Sequence, residues 1–168
     1  FSLECQKNGI QPIIGTIINL SEVFYNNIFS QITFLVKNKI GYENILYLSS
    51  ISHTKQSDNV GITLEDINNH SNGLICYMGG ELNPLLFYKF QNKYDELNNF
   101  LTNIKKIFKN DFYIELQRIK NSLLDEHENS LIQLAYNFTV PLIATKNVKY
   151  VNKEDHNAHD ALLCIANK

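Results

Sequence analysis

Short apolar runs alternate with helix-forming segments along most of this chain, and that alternation limits the folds open to it. Four runs predict strands, at residues 32–36, 74–78, 112–116 and 140–144. A fifth strand is predicted over residues 10–18, and residues 21–30 are predicted to form a loop. Because these runs lack polar alternation, we expect strands buried on both faces of a mainly parallel sheet, either doubly wound or curled into a barrel.

Helices are predicted between the strands, and the clearest of them is amphipathic. Its apolar side chains recur every three or four residues, at Tyr94, Leu97, Leu101, Ile104 and Phe108, which places them on one helical face. Other helices are predicted over residues 1–8, 41–52 and 124–138. Further helix starts are indicated by a capping box at Thr63, by Asn83 followed by Pro84, and by a cap at Asn152.

The composition is that of an ordinary globular domain. The chain has 168 residues, of which 44% are hydrophobic and 19% charged, and its formal net charge is −2. These values exclude a disordered tail and disfavour a basic nucleic-acid-binding module. No apolar run approaches the roughly 18 residues needed to span a bilayer. Residue 1 is Phe rather than Met, and we expect the chain to be a piece of a longer protein.

Three cysteines are widely separated in the sequence. Cys5, Cys76 and Cys164 form no C-x-x-C pair, and each has apolar neighbours. We interpret them as reduced thiols in the core of a cytoplasmic protein rather than as metal ligands.

The carboxyl ends of the predicted strands are where an α/β fold places its chemistry. These ends correspond to residues 17–19, 37–38, 79–81, 117–120 and 145–150, and they carry amides, lysines and glycines. Glu81 is their lone carboxylate, and Gly79-Gly80 is typical of a turn. The sequence therefore predicts no catalytic residue and no cofactor site at these ends.

Two histidine-containing clusters open predicted helices. His156, His159 and Asp160 have the spacing of metal ligands on one helical face. We favour a structural interpretation, because acidic residues stabilise the amino-terminal end of a helix. The segment Asp125-Glu126-His127-Glu128 is interpreted as a solvated acidic face.

Seven segments in register resemble one known family. They are GIQPIIG at 9–15, FLVKN at 34–38, GYEN at 41–44, GLI at 73–75, FYIELQ at 112–117, VPLIAT at 140–145 and AHDALLCI at 158–165. Together they resemble the PHP (polymerase and histidinol phosphatase) domain at the amino end of bacterial DNA polymerase III alpha subunits. The resemblance covers nearly the whole chain and implies a single PHP-like domain over residues 1–168.

The resemblance also implies the fold and its setting. The fold would be a partial, distorted (β/α) barrel with mainly parallel strands, truncated at its amino-terminal end because the family's first His-x-His strand and Asp-His turn would precede Phe1. The parent would be a magnesium-using DNA polymerase. The implied partners are other DNA polymerase III holoenzyme subunits, including the proofreading exonuclease subunit, and DNA through the rest of the parent chain, with no membrane.

This sequence departs from the family at the positions of its metal ligands. Metal-binding members carry Glu, His, Cys or His, Asp and His where this chain has Ile17, Gln31, Gly80, Asn147 and Lys149, and a His often found after ELQ is Ile119 here. An isoleucine offers no lone pair, and a lysine would place a cation where a metal should bind. The departures predict that these positions are vestigial and that metal binding has been lost. A Lys149 ammonium that is buried and paired could take the place of the metal charge.

Two alternatives to a structural and partner-binding PHP domain remain at this point. One is an active metal-dependent phosphoesterase or exonuclease of the proofreading type, which the substitutions argue against. The other is an unrelated α/β binding module.

Overall fold

A five-stranded mixed sheet organises the part of the chain that the computed structural model describes, namely residues 1–54, 61–118 and 122–166. The sheet order follows the chain order: β1 (Gly15–Tyr25), β2 (Ile28–Val36), β3 (Leu74–Met78), β4 (Phe112–Gln117) and β5 (Leu142–Thr145). The α/β class is confirmed. Two of the four pairings, β1 with β2 and β2 with β3, are antiparallel, so the prediction of mainly parallel strands is wrong. Within the described residues the sheet does not close into a barrel.

Seven helices accompany the sheet in the described residues. They are α1 (Ser2–Lys7), α2 (Lys39–Thr54), α3 (Leu64–Asn69), α4 (Pro84–Phe90), α5 (Tyr94–Phe108), α6 (Ser122–Asn137) and α7 (His156–Ala166). Among these helices, none combines the length and the apolar character required to cross a bilayer.

The predicted helix starts are confirmed. The Thr63 hydroxyl accepts a hydrogen bond from the Asp66 N–H, and the Asp66 carboxylate accepts one from the Thr63 N–H, which is the capping box. Asn83 caps α4 through its side chain, which accepts from the Leu86 N–H, with Pro84 in the first turn. Asn152 and Asp155 form a further capping box just before α7.

A β-hairpin replaces the loop that was predicted over residues 21–30. Strand β1 runs to Tyr25 and turns into β2 through Asn26 and Asn27, whose φ angles are 50° and 62°. Two positive φ angles define a type I′ turn, and asparagine tolerates them better than most residues. The Asn-Asn pair thus forms a hairpin turn. At its other end β1 begins at Gly15 rather than at residue 10.

One face of the sheet carries the core. Ile32, Phe34, Cys76, Phe112 and Ile114 are at most 1% exposed and face the helices. Their neighbours in sequence lie on the opposite face and are mostly only partly buried. The prediction that the strands are buried on both faces is therefore wrong in the described residues.

Helices α2 and α5 cover that face. The prediction of the inward-facing residues is more accurate for α5 than for α2. Four of the five residues predicted to form the apolar face of α5 are buried, and Tyr94 is exposed. In α2 the buried side chains include Ile45 and Leu48, whereas Tyr42 and Leu46 lie at the surface. The inward face of α2 is thus rotated from the one expected.

The three cysteines differ in burial. Cys76 is fully buried, and burial raises the pKa of its thiol well above the ordinary value. Cys5 is half-buried and Cys164 is exposed on α7. The interpretation as core thiols is confirmed for Cys76 and is wrong for Cys164.

Candidate functional site

A single cavity brings together all five positions that the sequence marks as vestigial. It has a volume of about 580 Å³ and lies at the end of the sheet where β3, β4 and β5 terminate. Its lining includes Ile17 from β1, Gln31 from β2, Gly80 after β3, and Asn147 and Lys149 after β5. Residues separated by more than 100 positions in the chain therefore share one site.

The walls of the cavity come from the partly exposed face of the sheet. Thr33 and Tyr77 pair across β2 and β3, and Glu115, Gln117 and Thr145 follow on β4 and β5. Burial and the Glu115 charge raise the pKa of Tyr77, while a hydrogen bond with Thr33 opposes them. Tyr77 therefore stays a neutral phenol near pH 7, able to donate or accept a hydrogen bond.

Glu115 is the site residue that sequence reasoning missed. It is only 5% exposed. Its Oε1 atom accepts hydrogen bonds from Gln117 Nε2, at 3.0 Å, and from the Thr145 hydroxyl. No ion pair to Glu115 occurs among the described residues. Its signal in the sequence was a glutamate inside an apolar strand. Because burying a carboxylate without a cation costs folding free energy, a glutamate at such a position indicates a functional role.

Gly79 allows β3 to end close against β4. A Cβ atom at this position would overlap the backbone carbonyl of Glu115. The adjacent Gly80 has open space around it, since a methyl group there would lie 3.9 Å from its nearest neighbours, the atoms of the Gln117 amide. The pair predicted as a turn thus contains one glycine required by packing and one that is not.

Gln31 and Gly80 are engaged in the local structure. The Gln31 N–H donates to the Leu82 carbonyl at 2.6 Å, and the Gln31 side-chain amide donates to Asn19 Oδ1 at 3.3 Å. The Gly80 carbonyl accepts hydrogen bonds from both the backbone and the side chain of Asn83. These contacts tie the cavity wall to the start of α4.

Asn147 and Lys149 lie in the exposed segment after β5. Lys149 makes no ion pair within the described residues. The idea that its ammonium is buried and paired, and so substitutes for a metal, is therefore not what the structure shows. Lys149 and the neighbouring Lys146 instead line the cavity from its solvent side.

The histidine cluster at the start of α7 lies apart from the cavity. The rings of His156 and His159 contact the Tyr150 ring, with centroid distances of 6.0 and 5.6 Å. Neither histidine lines the cavity. The structure places both side chains at an aromatic contact beside the helix start.

Other predicted positions also lie elsewhere. Lys37 is at the opposite end of the sheet, because β2 runs antiparallel to β3, and it pairs with Asp111 at 2.7 Å. Residues 17–19 lie within β1 rather than at its end. In the acidic segment of α6, Glu128 pairs with Arg118 at 2.7 Å. Ile119 falls outside the described residues.

The donors in the cavity do not fit a divalent metal. Ile17 has no donor atom, the Gln31 amide is already hydrogen-bonded, and Lys149 is cationic. Nowhere in residues 1–54, 61–118 and 122–166 do three or more His, Cys, Asp or Glu side chains gather as a metal site requires. The two carboxylates that line the cavity, the buried Glu115 and the exposed Glu81, cannot by themselves supply the several oxygen or nitrogen ligands of a zinc or magnesium centre.

Comparison with known proteins places this geometry in a family context. A family profile described as the PHP domain matches residues 1–119. Similar curated proteins include the DNA polymerase III subunit alpha of Rickettsia bellii, Borreliella burgdorferi and Caulobacter vibrioides, which are 36%, 34% and 31% identical over 173, 176 and 173 residues. The matches cover 99%, 98% and 99% of this chain. The chain spans only 14% to 15% of the length of these relatives.

Proposed function

The chain belongs to the PHP domain family, and on that premise we propose that it is part of a DNA polymerase III alpha subunit acting in bacterial DNA replication. In this proposal the domain has lost metal binding and serves as a structural and partner-binding module. Family membership also means that the alternative of an unrelated α/β binding module is wrong.

One observation carries the proposed loss of metal binding. The five positions at which the family places metal ligands line one cavity. This is the arrangement expected if they have been matched correctly to the family's ligand positions. Their side chains are an isoleucine, a glutamine, a glycine, an asparagine and a lysine. A PHP-type phosphoesterase needs several carboxylate and imidazole ligands, because these hold the metal ions that activate water. The active phosphoesterase or exonuclease alternative therefore finds no support in the cavity.

The setting of the domain is likewise proposed from its relatives. The polymerase reaction, its magnesium ions and its contact with DNA would belong to the rest of an alpha subunit, since this chain spans 14% of the Rickettsia bellii protein. Other subunits of the holoenzyme, including the proofreading exonuclease subunit, are the proposed partners. With that replication role we propose a cytoplasmic location.

The test of metal loss is a measurement of retained metal. The purified chain is incubated with Zn²⁺ or Mn²⁺, desalted and analysed for its metal content. We expect far less than one equivalent to remain, and no hydrolysis of a model phosphodiester. The matched control is the double substitution His156→Gln and His159→Gln, which removes two histidines outside the cavity that could bind zinc weakly.

Near-equimolar metal that survives in this double variant but is lost in Glu115→Gln would contradict the proposal, because it would locate the metal in the cavity. The partner-binding part is tested separately. Surface-immobilised chain is titrated with the proofreading exonuclease subunit of the same organism, and saturable binding is expected. No binding at micromolar concentration would refute that partner.

A further inference from the structure

The cavity is lined by a buried carboxylate whose two oxygens differ in their hydrogen bonding. Glu115 Oε1 accepts the two hydrogen bonds described above, from Gln117 and Thr145. Its second oxygen, Oε2, accepts none from the described residues, is not shut off from solvent, and belongs to a side chain that lines the cavity. A carboxylate that is only 5% exposed and has two neutral donors but no cation is complementary to a positively charged group.

The solvent side of the same cavity carries the opposite charge. Lys146 and Lys149 are both exposed, both line the cavity, and neither makes an ion pair within the described residues. The exposed Glu81 also lies there, which leaves a net positive charge among these three rim residues. The cavity is therefore negative at its buried wall and positive at its rim.

We propose that this cavity binds a small zwitterion, with a primary ammonium group on Glu115 and an anionic group near Lys146 and Lys149. The ammonium would donate to Oε2, and the Tyr77 hydroxyl and the wall amides offer further polar contacts. The volume of about 580 Å³ lies within the range of small-molecule sites, about 300–1,000 Å³. This inference goes beyond the proposed structural role, because it assigns a ligand to the site.

The charge arrangement selects among ligand classes. A diamine would place its second ammonium near two lysines, and a simple carboxylate would have no group for Glu115. A divalent metal would find only one buried carboxylate. A ligand with an amine at one end and an anion at the other satisfies both sets of groups.

The proposal is tested by titrating the 168-residue chain with three probes that have the same number of carbon atoms. They are 6-aminohexanoate, hexanoate and hexane-1,6-diamine, each titrated by isothermal calorimetry and by NMR shifts of the chain. We expect saturable binding of 6-aminohexanoate, with about tenfold or greater weakening for either probe that lacks one of its charged ends. Equal binding of all three probes, or no binding of 6-aminohexanoate at concentrations up to about 10 mM, would overturn it.

Substitutions then assign the two ends of the ligand. Glu115→Gln is expected to weaken 6-aminohexanoate binding about tenfold or more, and Lys149→Gln several-fold. The matched control is Lys106→Gln, which removes the same charge from the exposed surface of α5 and should leave binding unchanged. Lys149 is exposed, so its variant remains informative even where Glu115→Gln fails to fold. Binding that is unchanged in Lys149→Gln, or weakened equally by Lys106→Gln, would overturn the assignment of the anionic end.

A parallel titration with Mn²⁺ alone separates this inference from the proposed loss of metal binding. Tight Mn²⁺ binding that depends on Glu115 would refute the metal loss. The zwitterion result is judged independently, by the ranking of the three organic probes.

Discussion

The two faces of the sheet differ sharply although they are built from alternating residues of the same strands. On the helix-covered face, Phe34, Cys76 and Ile114 are fully buried. One residue earlier or later, Thr33, Tyr77 and Glu115 line the cavity on the opposite face. Since side chains alternate along a strand, one set of strands carries both a core and a polar site.

This difference separates what folding requires from what a site requires. The covered face must remain apolar, because its burial supplies most of the stability. The cavity face includes the exposed Ile17 and the half-buried Gln31, so side chains there can change with little effect on the core. Substitution at such positions is therefore compatible with an intact fold.

The largest expected loss of stability comes from a substitution in the helix-covered face of the sheet. Phe34→Ala removes a ring that is 0% exposed and contacts Phe108 at a centroid distance of 5.9 Å. We expect a loss of about 3–5 kcal/mol in the free energy of unfolding. Chemical denaturation measures it. The matched control is the adjacent Thr33→Ala on the cavity face, for which we expect less than about 1 kcal/mol. Similar losses in the two variants would mean that both faces are core.

The sequence predicted the helices well because their signals are local. The stripe on α5 and the caps at Thr63 and Asn83 each depend on residues within one segment. The hairpin and the mixed sheet were missed, since strand direction depends on which strands pair across the chain. The convergence of Ile17, Gln31, Gly80, Asn147 and Lys149 on one cavity followed from the family resemblance. Glu115 stood out as a glutamate in an apolar strand, but its place in the site depends on the pairing of β4 with β5, which no local signal shows.

The next effect concerns the contact between β3 and β4 at the cavity. Gly79→Ala forces a methyl group into the backbone carbonyl of Glu115, and we expect a cost of about 1–3 kcal/mol from overpacking. Thermal and urea unfolding measure this cost. Gly80→Ala serves as the control, because its added methyl group would have no neighbour nearer than 3.9 Å. A fully stable Gly79→Ala would show that the strands can separate without loss.

Ser30 is a polar exception on the covered face. It is 0% exposed, and its hydroxyl has no hydrogen-bond partner among the described residues. Because an unsatisfied buried hydroxyl is unfavourable, Ser30→Ala should raise the free energy of unfolding by about 1 kcal/mol. Urea unfolding tests this. The control is Ser50→Ala, since Ser50 is exposed and its hydroxyl donates to the Leu46 carbonyl. A destabilised Ser30→Ala would indicate a partner for the hydroxyl.

Restoring single ligand types should have a smaller effect still. Asn147→Asp and Lys149→His alter exposed residues beside the cavity, so we expect changes within about 0.5 kcal/mol in unfolding free energy. Neither variant should retain Mn²⁺ after desalting, because one ligand cannot assemble a site of several donors. Phosphodiesterase activity in either variant would show that most of a metal site is intact.

The smallest expected effect is a dependence of the unfolding free energy on pH, which arises from His127 on α6. Burial, followed by the Lys89 ammonium, lowers the pKa of His127, and Glu126 opposes this. The folded chain therefore binds this proton less readily than the unfolded chain. Stability should fall as the pH drops from about 6.5 through the lower folded pKa. His127→Gln should flatten the dependence of unfolding free energy on pH in that range, whereas Asn129→Gln, at an exposed position of the same helix that does not titrate, should leave it unchanged. Identical slopes in the two variants would exclude the effect.

The two-residue turn at Asn26 and Asn27 has a consequence for the order of events in folding. Hairpins joined so tightly close in about 1–10 μs, because their partners are near in sequence. The parallel neighbours β3, β4 and β5 meet only after long intervening helical segments have been brought together, which is slower. We therefore expect β1 and β2 to pair before the other strands. The wall bearing Ile17 and Gln31 would then exist before Glu115 arrives to complete the cavity.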